Sequence, residues 1–243
     1  MTNAVYQLHP EHLEFPPVEH ALLQPNGLLA LGGDLSPERL IEAYQSGIFP
    51  WYSPGECIMW WSPNPRGVLE LDQLHISRTL RKKLKKKHFS FTINHAFEEV
   101  IDACATVRAE TDGTWITEAM LQAYTRMHEL GHAHSVEVWQ DGELVGGLYG
   151  VASHGVFCGE SMFHYATDAS KAAFVVLVDL VKKAGFHFID TQMQNPHLAT
   201  LGVVEMPRVE FIERLAKAKS VKIDQACWRA RDYSLEESAF ISN

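Results

Sequence analysis

Two strings hold residues whose types and spacing could do chemistry. The first, Phe157-Cys158-Gly159-Glu160-Ser161-Met162-Phe163, ends a strand-like run on a carboxylate. The second, Ile189-Asp190-Thr191-Gln192, sets a carboxylate and an amide two residues apart on another strand-like run, where such residues face the same way. With Phe157, Met162 and Phe163 they suggest a polar site beside an apolar pocket. None is a strong nucleophile, and Cys158 has no histidine and aspartate at a fixed spacing that would activate it. The set suits a reaction whose substrates are already reactive. Plainer roles stand beside these: Glu160 as a hydrogen-bonded loop residue, Asp190 as a buried carboxylate paired within a sheet, Gln192 as an ordinary polar strand residue.

A louder string is a decoy. His128-Glu129-Leu130-Gly131-His132 matches the H-E-x-x-H string of zinc peptidases, which needs both histidines on one face of a continuous helix. Residues 117–130 read as a helix capped by Thr117, with Ala119, Met120, Ala123, Tyr124, Met127 and Leu130 as its apolar stripe. Gly131 should end it, and strand alternation resumes at Ser135, so His132 is expected beyond the helix and no metal is expected. The zinc peptidase is therefore the alternative enzyme, and a noncatalytic RNA-binding module the alternative outside catalysis.

These residues need a scaffold. The chain has 243 residues, enough for one large domain or a domain with a smaller companion. Its four cysteines show no paired spacing, which points to reduced thiols in the cytoplasm; the start lacks a signal peptide, and the longest apolar run, 172–178, is too short to span a bilayer. The net charge is −9, yet Arg78, Arg81, Lys82, Lys83, Lys85, Lys86 and Lys87 fall within ten residues. That run is either a solvated helix face or a docking patch for a phosphate backbone.

Local signals place the elements. Ser36-Pro37 opens a helix over 38–45, and Asn94 is expected to cap another over 96–105. Asp141-Gly142 joins two strands in a hairpin, and residues 151–158 are expected to supply another strand, with His154-Gly155 as its turn. A strongly apolar helix over 172–183 precedes a strand over 186–193, and a last helix covers 211–218 before a loosely packed tail. Trp60 and Trp61 are expected in a seam, with Trp51 open to either packing or base stacking. The fold class is α+β: a small N-terminal domain over 1–66, then a larger domain over 67–243 of N-acetyltransferase-like order, with a mixed sheet flanked by helices. Ala169-Ser170-Lys171-Ala172 lacks the glycine-rich loop that would cradle coenzyme A, so no cofactor is expected.

The strings 25–37, Gly47–Gly55, Trp60–Arg66, Gly113–Thr117, His128–Trp139, Leu144–Gly150, Phe157–Phe163 and 190–192 resemble, in order and spacing, the bacterial leucyl/phenylalanyl-tRNA–protein transferases. The resemblance spans most of the chain. It implies transfer of Leu or Phe, and also Met, from Leu-tRNA or Phe-tRNA to proteins with N-terminal Arg or Lys, marking them for degradation. It implies a monomer, Gln192 orienting the attacking amine, Asp190 as its polarising neighbour, and Glu160 anchoring the cationic acceptor. It further implies a donor pocket from Leu148, Phe157, Met162, Leu177 and Ile189, suited to side chains unbranched at Cβ. Trp51 and Trp115 would stack on the terminal adenosine, and Arg78, Lys82, Lys83, Lys86 and Lys87 would meet the acceptor stem. Which group takes the amine proton is left open among Asp190, Glu160 and the departing tRNA hydroxyl.

Overall fold

The computed structural model describes residues 5–109 and 114–241; the first four residues and Gly113 of the Gly113–Thr117 string lie outside them. The elements run β1 (Tyr6–Leu8), β2 (Leu28–Gly32), α1 (Pro37–Gln45), β3 (Phe49–Pro50), β4 (Met59–Trp61), β5 (Arg66–Glu70), α2 (Arg78–Lys85), β6 (Ser90–Ile93), α3 (Phe97–Ala109), α4 (Glu118–Glu129), β7 (Ala133–Gln140), β8 (Glu143–Ser153), β9 (Val156–His164), α5 (Ala169–Lys183), β10 (Phe188–Gln192), α6 (Pro196–Ala199), β11 (Val204–Met206), α7 (Arg208–Ala218) and β12 (Arg231–Tyr233).

Two sheets organise them. The N-terminal one has the order β1-β2-β4-β3, and the larger one β11-β5-β10-β9-β8-β7-β6-β12. In the larger sheet the pairs are antiparallel except β9 with β10, so the sheet is mixed as expected. The β7–β8 hairpin turns at Asp141 and Gly142, both with positive φ, the geometry that makes this dipeptide a hairpin signal.

Each face of the large sheet carries helices. α5 is apolar almost all round and is buried accordingly, packed on β7, β8 and β9. α2 lies against it through Leu80 and Leu84, each worth about 1.5–3 kcal/mol of burial, which holds a cation-rich helix to the surface. The other face takes α3 and α4. There one apolar cluster runs without a break into the N-terminal sheet, joining Leu29, Leu40, Tyr44 and Trp60 to Val100, Tyr124 and Tyr149. Trp60 is fully buried and Trp61 partly so, as a seam requires.

Two expectations are corrected. Asn94 does not cap α3: it sits at φ +56, accepts the Ser135 N–H and donates to the Trp228 carbonyl. The buried Glu137 carboxylate instead meets the N–H groups of His95 and Ala96 just before the helix. Nor is the tail loosely packed. Trp228 is buried with its ring stacked 4.2 Å from His134, and β12 pairs with β6, covering that edge of the sheet. The Tyr233 hydroxyl donates to buried Asp179 at 2.8 Å. Tyr233→Phe should therefore lower stability by about 1 kcal/mol, read as a shifted urea midpoint with an unchanged slope.

Candidate active site

The site forms where β9 and β10 part. Their parallel ladder runs from Phe188↔Val156 to Asp190↔Cys158 and stops there. Beyond that point each strand bulges against its other neighbour. Between β8 and β9 the register passes from Gly150↔Gly159 to Tyr149↔Ser161, leaving Glu160 unmatched. Between β5 and β10 it passes from Asp190↔Val68 to Gln192↔Gly67, leaving Thr191 unmatched. Gln192 adopts φ +57, so regular strand alternation does not govern its relation to Asp190. Gly67 permits this bulge: a Cβ there would lie 2.7 Å from the Met193 carbonyl carbon. Bulges re-aim side chains beside functional sites, and here two adjacent ones bring an amide to a carboxylate.

The Gln192 Nε2 donates to Glu160 Oε1 at 3.0 Å. The other oxygen of Glu160 accepts from the Tyr124 hydroxyl at 3.2 Å, and Tyr124 in turn bonds the Tyr44 hydroxyl of α1. Burial pushes the Glu160 carboxyl up to about 7, against the hydrogen bonds of Tyr44 and Tyr124, which hold it down. It therefore exchanges a proton near neutrality, the property required of a general base. Behind it Asp190 is paired with Arg66 through both oxygens, at 2.8 and 2.7 Å.

A cavity of about 850 Å³ opens on this pair. Glu160 and Gln192 line it with Ser161 and Arg108, whose Nε donates to the Ser161 hydroxyl at 2.9 Å. Leu148, Met162, Phe174 and Leu177 supply apolar wall, and Trp51 and Trp115 also line it. Trp51 is partly exposed and braced edge-on by Trp61, whose Nε1 donates to the Trp51 carbonyl. A second groove, of about 910 Å³, is lined in part by Tyr52, Cys57, Thr117 and Arg126 and holds none of Glu160, Asp190 and Gln192.

Three residues assigned to the site lie outside the cavity. Phe157 faces the α5 side and stacks with Trp228, its ring centroid 5.3 Å away. Ile189 is fully buried in the same cluster, so both are core rather than pocket wall. Asp190 is buried behind Gln192. Of the basic run, Arg78, Lys82 and Lys86 are exposed, whereas Lys83 pairs with Asp168 at 2.6 Å and Lys87 with Glu236. Lys83 thereby ties α2 to the start of α5, two residues from Ser170 in the cavity lining.

The histidine string behaves as a helix end. α4 stops at Glu129, Gly131 takes φ +80, and His132 lies beyond. The His128 ring stacks on Phe97 and its Nδ1 donates to the Ala133 carbonyl at 2.8 Å. Among the described residues no group of three His, Cys, Asp or Glu side chains could hold a metal ion.

Residues 68–216 match the family Leucyl/phenylalanyl-tRNA protein transferase, and 33–64 match that family's N-terminal domain. A Leucyl/phenylalanyl-tRNA--protein transferase from Pseudoalteromonas atlantica is 57% identical over 90% of this chain and 94% of its own length. The chain belongs to the leucyl/phenylalanyl-tRNA protein transferase family. It is an acyltransferase of α+β fold, with a small N-terminal part and a larger mixed-sheet part. Among solved structures it is similar to L-PGS from Bacillus licheniformis, at a TM-score of 0.40 and 14% identity over 61% of this chain and 48% of that one. It is also similar to a GCN5-related N-acetyltransferase from Kribbella flavida, at a TM-score of 0.35 and 13% identity over 68% and 58%. Both transferase family matches bear on the cavity: 33–64 includes Phe49 and Trp51, and 68–216 includes Glu160 and Gln192.

Arg66, Tyr44, Tyr124 and Arg108 make contacts around the candidate site that sequence pattern does not single out: Arg66 pairs with Asp190, Tyr124 bonds Glu160 and Tyr44, and Arg108 bonds Ser161. Tyr124 belongs to an apolar helix stripe, although a buried tyrosine hydroxyl needs a partner. Arg66 closes the Trp60–Arg66 string, where a domain junction is expected. Its position on a strand beside apolar residues is the one available sign of a buried cation that must be paired.

Proposed function

We propose that this protein transfers leucine or phenylalanine, and also methionine, from aminoacyl-tRNA to the α-amino group of proteins beginning with Arg or Lys, marking them for degradation. The observation that carries the proposal is the Gln192–Glu160 pair at 3.0 Å, set at the edge of an apolar cavity. The donor ester is already activated. The acceptor amine, with a reference pKa of about 7.7–8.0, arrives as an ammonium and must lose a proton to attack. Glu160, titrating near neutrality, takes it, while the Gln192 amide holds the amine against the ester carbonyl. The C–N bond forms, the ester C–O bond breaks, and the second amine proton goes to the departing tRNA oxygen. Glu160 also supplies negative charge toward a cationic acceptor.

Leu148, Met162 and Leu177, joined by Phe174, form the donor side-chain pocket. Straight or γ-branched chains enter such a slot, whereas Val and Ile crowd its mouth; each methylene there is worth about 1–3 kcal/mol. Trp51 and Trp115 offer faces for the terminal adenosine, worth about 1–3 kcal/mol per stacked base. The tie between α2 and the start of α5 sets the exposed Arg78, Lys82 and Lys86 where an acceptor stem would run. Neutralising these three should weaken donor binding and reduce its logarithmic salt slope by about 0.7–0.9 for each phosphate left without its cation, without altering the Leu to Phe preference. Lys83 and Lys87, already paired with carboxylates, should contribute less.

We also propose the division 1–66 and 67–243, a monomeric enzyme, and a cytoplasmic site of action, to which the unpaired cysteines are suited. No helix among the described residues is long and apolar enough to cross a membrane. The test is labelled Phe-tRNA offered to two peptides, one beginning with Arg and one with Glu. Labelling of the Arg peptide alone is expected. Binding of tRNA with no transfer would make the chain a carrier module, and chelator-sensitive cleavage of either peptide would restore the zinc reading of His128 and His132.

A further inference from the structure

Arg66 stands at the centre of a closed circuit of contacts. It is 1% exposed, and its guanidinium lies between the rings of Phe49 and Phe211, 5.0 and 4.5 Å from their centroids. Its Nε and Nη2 donate to Asp190, and its Nη1 donates to the Gly47 carbonyl at 3.0 Å. Asp190 Oδ1 also accepts the backbone N–H of Gln192 at 2.9 Å, across the bulge where Gln192 takes its left-handed φ. The Gln192 side chain meets Glu160, Glu160 meets Tyr124, and Tyr124 meets Tyr44. Tyr44 and Gly47 belong to the same turn at the end of α1, so the circuit begins and ends on one segment.

We infer that Arg66 is a positioning residue for the transfer: by clamping Asp190 it fixes the Gln192 backbone, aims the Gln192 amide at Glu160, and leaves Glu160 rather than Asp190 as the acceptor of the amine proton. The inference rests on the function proposed above and deepens it. A non-glycine residue held at φ +57 persists only where its surroundings over-determine it, and the clamped carboxylate supplies that constraint. Both oxygens of Asp190 are occupied by Arg66, one also by Gln192, and the Cys158 thiol bonds the same carboxylate. Asp190 thus offers the incoming amine no vacant oxygen and does not line the cavity. A guanidinium is the group that can do this, because its planar fork binds a carboxylate twice and keeps a donor for Gly47.

The pair also sets the charge behind Glu160. That carboxyl is faced by Tyr44 from α1, Tyr124 from α4, Tyr149 from β8, Cys158 from β9, Arg66 from β5 and Asp190 from β10. Asp190 raises its pKa and Arg66 lowers it, so intact the two offset each other. Removing one charge should move the acid limb of the transfer rate one way, and removing the other should move it the opposite way. A residue that served only to hold the fold would give no such pattern.

The experiment is single-turnover transfer from Phe-tRNA to an Arg-initiated peptide, measured across pH with donor affinity determined separately. The variants are Arg66→Lys, Arg66→Met, Asp190→Asn and the double Arg66→Met/Asp190→Asn. Arg66→Lys keeps the charge but loses the fork, and should slow transfer about 10-fold or more with donor affinity nearly unchanged. The acid limb should rise by about 1 pH unit in Arg66→Met, fall by about as much in Asp190→Asn, and return toward the parent in the double variant. Full-rate transfer by Arg66→Lys, or an acid limb that stays put in both single-charge variants, would overturn the inference. Where the neutral variants fail to fold, the rate and affinity of Arg66→Lys decide it. Absence of transfer by the parent enzyme would instead sink the proposed function, which keeps the two failures apart.

Discussion

Glu160→Gln should slow single-turnover transfer by about 10²–10⁴-fold, the usual range for loss of a general base, while making the protein more stable at pH 8. Both effects come from one cause. The Glu160 carboxyl is buried, and desolvation lifts it from 4.5 to about 7. Below pH 4.5 the folded and unfolded chains both carry the proton, and burial costs nothing through this group. As pH rises through the window from 4.5 to about 7, the unfolded chain gives up the proton first, so stability declines. Above that window the full cost stands, on the order of 3 kcal/mol. Glutamine is neutral throughout, can accept from one partner with its oxygen, and can donate toward the Tyr124 hydroxyl, which is able to accept. The melting temperature of the variant should exceed the parent's by about 6–12 °C at pH 8, with the gap closing toward pH 5. A gap of equal size at both values would show that Glu160 holds its proton equally in the folded and unfolded chains, so that burial does not raise its pKa. Undiminished transfer at pH 8 would remove it from the chemistry.

Such a residue could be named from the sequence, but its properties could not. The hairpin at Asp141-Gly142, the caps at Ser36 and Thr117, and the buried helix α5 are local matters, each decided by residues a few positions apart, and they were legible. The end of α4 at Gly131 was legible for the same reason, and it separated His132 from His128. What makes Glu160 basic is not local. Tyr44, Tyr124, Arg66 and Asp190 come from four different elements, and the Arg66–Asp190 pair joins residues 124 apart in sequence. Strand alternation carried the site only up to the bulges: one unmatched residue on each of β9 and β10 changes where every later side chain points. Phe157 and Ile189 were misplaced because apolar strand residues fit either face until the register is known. The tail was misjudged because Trp228 and Tyr233 find their partners on β7 and α5, far back in the chain.

Gln192→Ala should slow transfer by about 10²-fold at saturating donor and acceptor, with donor affinity changed by no more than a few-fold. Alanine and glutamine bear similar costs at a left-handed φ, so the bulge and its Asp190 contact have no new reason to shift. What disappears is the amide, and with it the donor to Glu160 Oε1 at 3.0 Å. The donor pocket is built elsewhere, from Leu148, Met162, Phe174 and Leu177, so the aminoacyl side chain should still be read. Gln192→Glu sharpens the test because it keeps the size and reverses the electrostatics. Two carboxyls at hydrogen-bond distance share one proton, so the pair should hold it to higher pH than Glu160 alone, and the acid limb of transfer should move upward. The measurement is the single-turnover rate across pH with donor binding followed in parallel. If Gln192→Ala transfers at the parent rate and loses only donor affinity, the amide holds the ester rather than the amine. If Gln192→Glu shows an unmoved acid limb, Glu160 and residue 192 do not share the proton, and the tRNA hydroxyl becomes the group that collects it.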